Sequence, residues 1–151
     1  MFRDGAERLL VFRLGRERFG VALRQVDEVI DTPPANAIPD AHPGVVGVAT
    51  VRGELVRLYD PSPVLRAGGS DARGAALLFR RGTRRVGLVV DDVQDALMVD
   101  SSEVREVRGS DESDGVLQGV VRRGRDLIAV LDTRALLDAT IEGGVSQGER
   151  T

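Results

Sequence analysis

The side chains that could do chemistry in this chain are few, and their spacing argues against catalysis. His42 is the single histidine of 151 residues and Cys is absent, so disulfides, thiolate metal sites and cysteine nucleophiles are excluded. His42 lies in Pro39-Asp40-Ala41-His42-Pro43-Gly44, a loop signature with no second His and no nucleophile motif, which makes a general base at this position unsupported. The run Ser110-Asp111-Glu112-Ser113-Asp114-Gly115 offers carboxylates to calcium, yet lacks the alternating ligands and distal Glu of an EF-hand loop. It reads as an acidic, mobile loop. No Gly-rich phosphate loop follows a strand and opens a helix. The expectation is a protein that is not an enzyme and uses no cofactor and no metal.

Charge narrows the partners. The formal net charge is -3 and every basic side chain is Arg, a balance that disfavours DNA or RNA. Two Arg-rich patches, Arg80, Arg81, Arg84, Arg85 and Arg122, Arg123, Arg125, each bracket a Gly between apolar stretches and read as solvated hairpin tips. Residues 1–8 carry four charges, which no signal peptide would, and no apolar run approaches the roughly 20 residues of a membrane span. No direct membrane insertion is expected, and the cytoplasm is the expected location.

The elements that position these residues are short strands, and they repeat. Leu9 to Leu14, a Gly15-Arg16-Glu17-Arg18 turn region and Phe19 to Leu23 form one hairpin pattern; Ala76 to Arg81, Gly82-Thr83-Arg84-Arg85 and Val86 to Val90 form another. At an offset of 67 residues, Leu10, Phe12, Arg13, Gly15, Arg18, Gly20 and Val26 fall on Leu77, Phe79, Arg80, Gly82, Arg85, Gly87 and Val93. A second hairpin, Gly47 to Asp60, is repeated by Gly119 to Asp132. Each copy ends on an Asp suited to N-capping a short helix, with Pro61 at the first helical position of the earlier one. Gly68-Gly69 and Gly143-Gly144 are expected to stop these helices.

With an aliphatic core (aromatic fraction 3%) and four to five short strands per copy, the fold class expected is mainly β. Two small β-barrels packed together are expected, with short helices including one at the C-terminus. The domain reading is a flexible segment over 1–8, one domain over 9–142 made of two interleaved barrel subdomains (sequence halves about 9–67 and 75–142), and a disordered tail over 143–151. A pseudo-symmetric pair of barrels leaves a groove between them, a natural seat for another protein's helix.

Several segments resemble the bacterial CheW-like chemotaxis coupling proteins. They are Phe12 to Val21, Val26-Asp27-Glu28-Val29, Gly44-Val45-Val46-Gly47, Val51-Arg52-Gly53, Val86 to Val93, Leu117 to Val120 and Leu127 to Asp132. The resemblance runs from about Leu9 to Leu137. It implies a mainly β fold of two small five-stranded SH3-like β-barrels packed together, and a non-catalytic adaptor or scaffold that bridges a chemoreceptor cytoplasmic tip to the regulatory domain of a chemotaxis histidine kinase. By motif position it carries a partner-binding role onto Val26, Glu28, Gly47, Arg52 and Gly53. Where the family reads an Asn-Leu-Arg-Gly turn, this chain has Thr50-Val51-Arg52-Gly53; the Arg-Gly is kept and its flanks differ.

Arg52, read without the family, is a solvated turn residue; read with it, Arg52 pairs with Glu28 or with a receptor carboxylate. Val26, Val29, Ile30, Val93 and Leu97 are either core or groove-lining, and burial decides; Val26, Val29 and Val93 join the candidate partner-binding set. A different class of function stays open beside the adaptor. It is a small-ligand or input-sensing module of another signalling system, which a closed pocket with convergent polar groups would favour.

Overall fold

In a computed structural model, which describes residues 5–39, 41–42, 44–68, 73–107 and 115–148, four two-residue turns set the architecture. They join β1 (Ala6–Leu14) to β2 (Glu17–Ala22), β4 (Val45–Val51) to β5 (Glu54–Tyr59), β6 (Ala75–Arg81) to β7 (Arg84–Val90), and β9 (Leu117–Arg123) to β10 (Asp126–Leu131). Two further strands, β3 (Glu28–Asp31) and β8 (Asp92–Asp100), follow the first hairpin of each copy, and helices α1 (Ser62–Leu65) and α2 (Thr133–Gly148) close each copy.

These strands form two five-stranded sheets in the orders β8-β1-β2-β10-β9 and β3-β6-β7-β5-β4. The copies have exchanged their first hairpins. Hairpin β1–β2 is flanked by β8 and by the β10–β9 pair of the later copy, and hairpin β6–β7 by β3 and by the β5–β4 pair of the earlier one. Each exchange is sealed by a short parallel contact, Ala129 against Phe19 and Leu58 against Gly87. Isolated bridges, Arg105 with Val120 and Asn36 with Val48, carry the chain beyond β8 and β3 onto the far edge strand of the same sheet and curl each sheet towards closure.

Burial follows from this arrangement. Leu77 and Phe79 of β6 point into a core shared by both sheets and α2, whereas Ala76 and Leu78 point into the interior of their own barrel. Strand β1 divides likewise, with Leu10, Phe12 and Leu14 in the shared core and Leu9 beside Val99, Val121 and Val130. Phe12 and Phe79, paired by the repeat, are both buried in the shared core, where Phe12 stacks on Phe19 at a ring-centroid distance of 5.6 Å.

Three expectations are corrected. Strand β1 begins at Ala6, inside the segment expected to be flexible, because Ala6, Glu7 and Arg8 pair with Asp100, Val99 and Met98, a partner too distant in sequence to show in the local pattern. Helix α1 ends at Leu65 and turns at Arg66, which takes the left-handed conformation (φ 55°) expected of Gly68. Helix α2 runs through Gly143-Gly144 to Gly148, so the tail expected to be disordered is helical as far as residue 148. Interior Gly costs a helix only about 1 kcal/mol against Ala and does not terminate it unaided. Gly69 and residues 149–151 lie outside the described residues. The capping expectation holds at α2, where Asp132 accepts from the Ala135 amide at 2.9 Å; at α1 the cap position is taken by Pro61, which was expected to be the first helical residue, and Asp60 one residue earlier accepts from the Ser62 amide at 2.9 Å.

Because every sheet draws strands from both copies, neither half can complete one alone. Fragments 1–67 and 75–142 expressed separately are expected to show no cooperative thermal transition by circular dichroism, whereas the full chain shows one.

Candidate functional site

The densest charge cluster sits where β3, β5 and β7 come together. Antiparallel pairing places Glu28 opposite Leu78 of β6, and the parallel contact of β5 with β7 brings the start of β5 near Arg85. Arg85 is only 8% exposed, yet three carboxylates reach it: Asp27 at 3.1 Å, Glu28 at 2.9 Å and Glu54 at 3.0 Å. Arg52 grips Glu28 from the solvent side, with one nitrogen donating to Oε1 at 2.6 Å and a second ion-pairing with Oε2, a two-pronged geometry suited to guanidinium and carboxylate. Arg80 completes the group, 3.5 Å from Asp27. Three guanidinium groups thus face three carboxylates.

The turn that carries Arg52 makes this possible. Arg52 and Gly53 have φ of 50° and 81°, the succession of positive values that lets a two-residue turn follow the twist of its strands. Arg52 keeps 67% of its side chain exposed while holding a half-buried Glu28. The hydrogen bond from Arg52, then that from Arg85, draws the Glu28 carboxyl from 4.5 down to about 2, against the opposing effect of desolvation. The same bonds raise the affinity of both guanidinium groups for their protons.

The other sequence-selected residues divide. Val29, next to Glu28 in β3, is 41% exposed, with its side chain on the opposite face of the strand from Glu28. Val26 and Val93 are partly buried against the shared core, with Val93 opposite Phe12 in the other sheet; Ile30 and Leu97 pack on the two barrel interiors. Gly47 sits at a bulge near the far end of β4. A Cβ there would stand 2.5 Å from the Asn36 carbonyl oxygen, so its demand is for close backbone approach. The structure therefore gathers Glu28, Arg52 and Gly53 at one corner, sets Val29 on the other face of the same strand, and leaves Val26, Gly47 and Val93 away from it.

Sequence reading placed Arg85 on a solvated hairpin tip, and this is corrected by its burial. A signal existed in the repeat. Arg85 corresponds to Arg18, and Arg18 reaches Gln94 at 3.0 Å and Asp126 at 3.5 Å, the counterparts of Asp27 and Glu54. Each barrel thus holds an arginine between the same two strand starts, but only one is fully paired with carboxylates. The remaining tip arginines are not wholly solvated either: Arg81 pairs with Asp138 at 2.8 Å, and Arg123 donates to the Met98 carbonyl at 2.7 Å while pairing with Glu103.

His42 has both ring nitrogens engaged. Nδ1 accepts from the Gly44 amide at 3.0 Å, which leaves Nε2 to donate to the Ile141 carbonyl at 3.3 Å. It ties α2 to the start of β4. Residues 110–114 of the acidic run lie outside the described residues. Among the described residues no group of three or more His, Asp or Glu could hold a metal ion, and no helix is long and apolar enough to cross a membrane.

Comparison with known proteins places this geometry in a family. The CheW-like domain model matches residues 8–140. A probable chemotaxis protein CheW of Rhizobium etli is 27% identical over 141 residues, covering 91% of each chain. A chemotaxis protein CheW of Rhizobium meliloti is 32% identical over 104 residues, covering 68% of this chain and 67% of its own. The crystal structure of the scaffolding protein TtCheW from Thermoanaerobacter tengcongensis superposes with a TM-score of 0.72 at 19% identity, over 83% of this chain and 88% of that one; it shares the fold.

Two measurements probe the cluster. A carboxyl held below its ordinary value stabilises the fold above pH 4.5 and loses that contribution as pH falls from 4.5 to about 2. The melting temperature of the wild type is therefore expected to drop more steeply than that of Glu28→Gln across that window. At neutral pH, Arg85→Met removes the central guanidinium and leaves three carboxylates to the two exposed ones of Arg52 and Arg80, and is expected to lower the melting temperature by roughly 5 °C or more. Arg52→Ala, at an exposed pair, is expected to shift it by about 2 °C or less.

Proposed function

The chain belongs to the CheW-like domain family, and from that premise we propose that it is a non-catalytic adaptor coupling chemoreceptors to a chemotaxis histidine kinase in the cytoplasm. The observation that carries this reading is the exposed Arg52, fixed by Glu28 on a turn whose foundation is the buried Arg85 network. An exposed ion pair adds little to stability. Its worth lies in presenting a guanidinium and a carboxylate in fixed orientation, which steers association and selects among partners. Leu55, 72% exposed and lining one hollow with Arg85, provides apolar surface near those charges, the composition from which binding anchors are made; Val29, 41% exposed, adds apolar surface on the other face of β3.

An adaptor acts by holding two partners at once, so that each meets the other at a raised effective concentration. On this reading one partner is the kinase regulatory domain and the other the receptor cytoplasmic tip. Glu28, Arg52 and Gly53 belong to one docking surface, and Val26, Val29, Gly47 and Val93 support the fold or a second surface. The scarcity of catalytic groups agrees with a binding role: the lone histidine is occupied at both nitrogens.

Affinity capture from source-organism lysate, with wild-type protein and Arg52→Ala as paired baits, tests the proposal. The wild type is expected to retain a histidine kinase together with a receptor, and the variant to recover at least one of them about tenfold less well, the loss of one charge-assisted contact. Equal recovery by both baits would remove Arg52 from the docking surface. Recovery of neither partner by the wild type would reject the coupling role.

A further inference from the structure

An imidazole is the side chain whose ordinary change of charge falls between about pH 5 and 8. This chain has one histidine and no Cys, so a side-chain response of the fold to mild acid comes down to the ring of His42. The charged corner is silent in that range, because the Glu28 carboxyl is held down at about 2.

The hydrogen bonds of His42 require a neutral ring. The Gly44 amide donates to Nδ1 at 3.0 Å, so that nitrogen carries no proton, and Nε2 donates to the Ile141 carbonyl of α2 at 3.3 Å. The backbone around the ring is pressed close and held in place. A Cβ at Gly44 would stand 2.9 Å from the imidazole Cε1, the Gly44 carbonyl accepts from the Asp60 amide at 2.8 Å, and the His42 carbonyl accepts from the Val45 amide at 3.0 Å. One side chain thus joins α2 to the residues that lead into β4.

Charged groups on the neighbouring elements are committed elsewhere. Asp60, just beyond β5, pairs with Arg73 at 2.8 Å and accepts from the Ser62 amide. Asp138 and Glu142 of α2 pair with Arg81 of β6 at 2.8 Å and 3.9 Å. Strand β4 carries no titratable side chain, and Tyr59 of β5 lies 6.2 Å from His42 between ring centroids. Asp40 lies outside the described residues. Among the described residues His42 has no ion-pair partner, so nothing there compensates a charge on the ring.

We propose that His42 is a pH-sensitive latch, which holds the start of β4 against α2 while its ring is neutral and lets go when the ring takes a second proton. An imidazolium has a donor at each nitrogen, so Nδ1 would meet the Gly44 amide donor to donor. Gly44 is tied to Asp60 and cannot withdraw; the ring turns away instead, and its bond to Ile141 goes with it. The latch is closed at neutral pH and opens as pH falls. It is separate from the Glu28 and Arg52 corner, whose ionisation does not change over the same interval.

The test is amide hydrogen exchange by NMR on the ¹⁵N-labelled full chain at about pH 7.5 and about pH 5.5, on either side of the ordinary imidazole range, with each rate divided by its intrinsic rate at that pH. The amides of Gly44, Val45 and Asp60 are expected to lose about tenfold in protection at the lower pH, the loss of one hydrogen bond, while those of Leu10 and Phe12 in the shared core keep theirs. His42→Phe, which has neither bond, is expected to show the low protection at both pH values. His42→Gln, which does not titrate, is expected to show the same protection at both. Equal protection of the wild type at the two pH values, or an acid-induced loss that recurs in the two variants, would overturn the proposal.

Discussion

Two strands, β1 and β6, bury side chains on both faces, and the rest of the molecule is arranged around that constraint. A strand with apolar groups on one face can lie on a surface; one with Leu77 and Phe79 on one side and Ala76 and Leu78 on the other must be enclosed. Each of these strands is therefore an inner strand of its own sheet and also a wall of the core shared with the other. Exchange of the first hairpins meets both demands, because it threads each copy through the opposite sheet and makes the two sheets one folding unit.

That enclosure has an electrostatic consequence. Arg85 is on β7, the partner of β6, and the depth imposed on the hairpin carries its guanidinium out of solvent. A buried cation is tolerable only when paired, and Asp27, Glu28 and Glu54 supply the pairing from two separate stretches of chain. Breaking one partner strands the others, so the network ties β3, β5 and β7 more tightly than backbone pairing alone. Arg52 stands on this foundation. The carboxylate it holds is already gripped from beneath by Arg85.

Much of this was legible in the residues. Gly-centred turns between apolar runs gave the hairpins, identities such as Phe12 with Phe79 gave the duplication, and Asp60 and Asp132 gave the helix starts. What escaped was non-local. The partner of Ala6 is Asp100, and no pattern near residue 6 records it. Arg85 looked like Arg84 in sequence because burial alternates along a strand and the alternation of polar groups near a tip is invisible until the register is known. The candidate corner was partly readable, since motif position pointed to Glu28 and Arg52; Asp27, Glu54 and Arg85 beneath them became evident only once β5 was seen beside β7. Glycines misled at the helix ends: Arg66 took the left-handed position that Gly68 was expected to fill, and α2 passed through Gly143-Gly144.

Duplication also explains how one small chain can present two unlike surfaces. Arg18 and Arg85 occupy equivalent places, yet Gln94 replaces the carboxylate that Asp27 provides, and Gly124 replaces the guanidinium that Arg52 provides. The scaffold is symmetric while its charges are not. The barrel with Arg85 carries a saturated ion network ending in an exposed pair; the barrel with Arg18 carries a looser contact to Gln94 and Asp126. Two copies bound by one folding constraint are free to diverge at the turns, since the turns bear none of the shared core. The proposed role of holding two different partners at once would need that combination, a common interior with independently variable tips, and the exchange of hairpins supplies it.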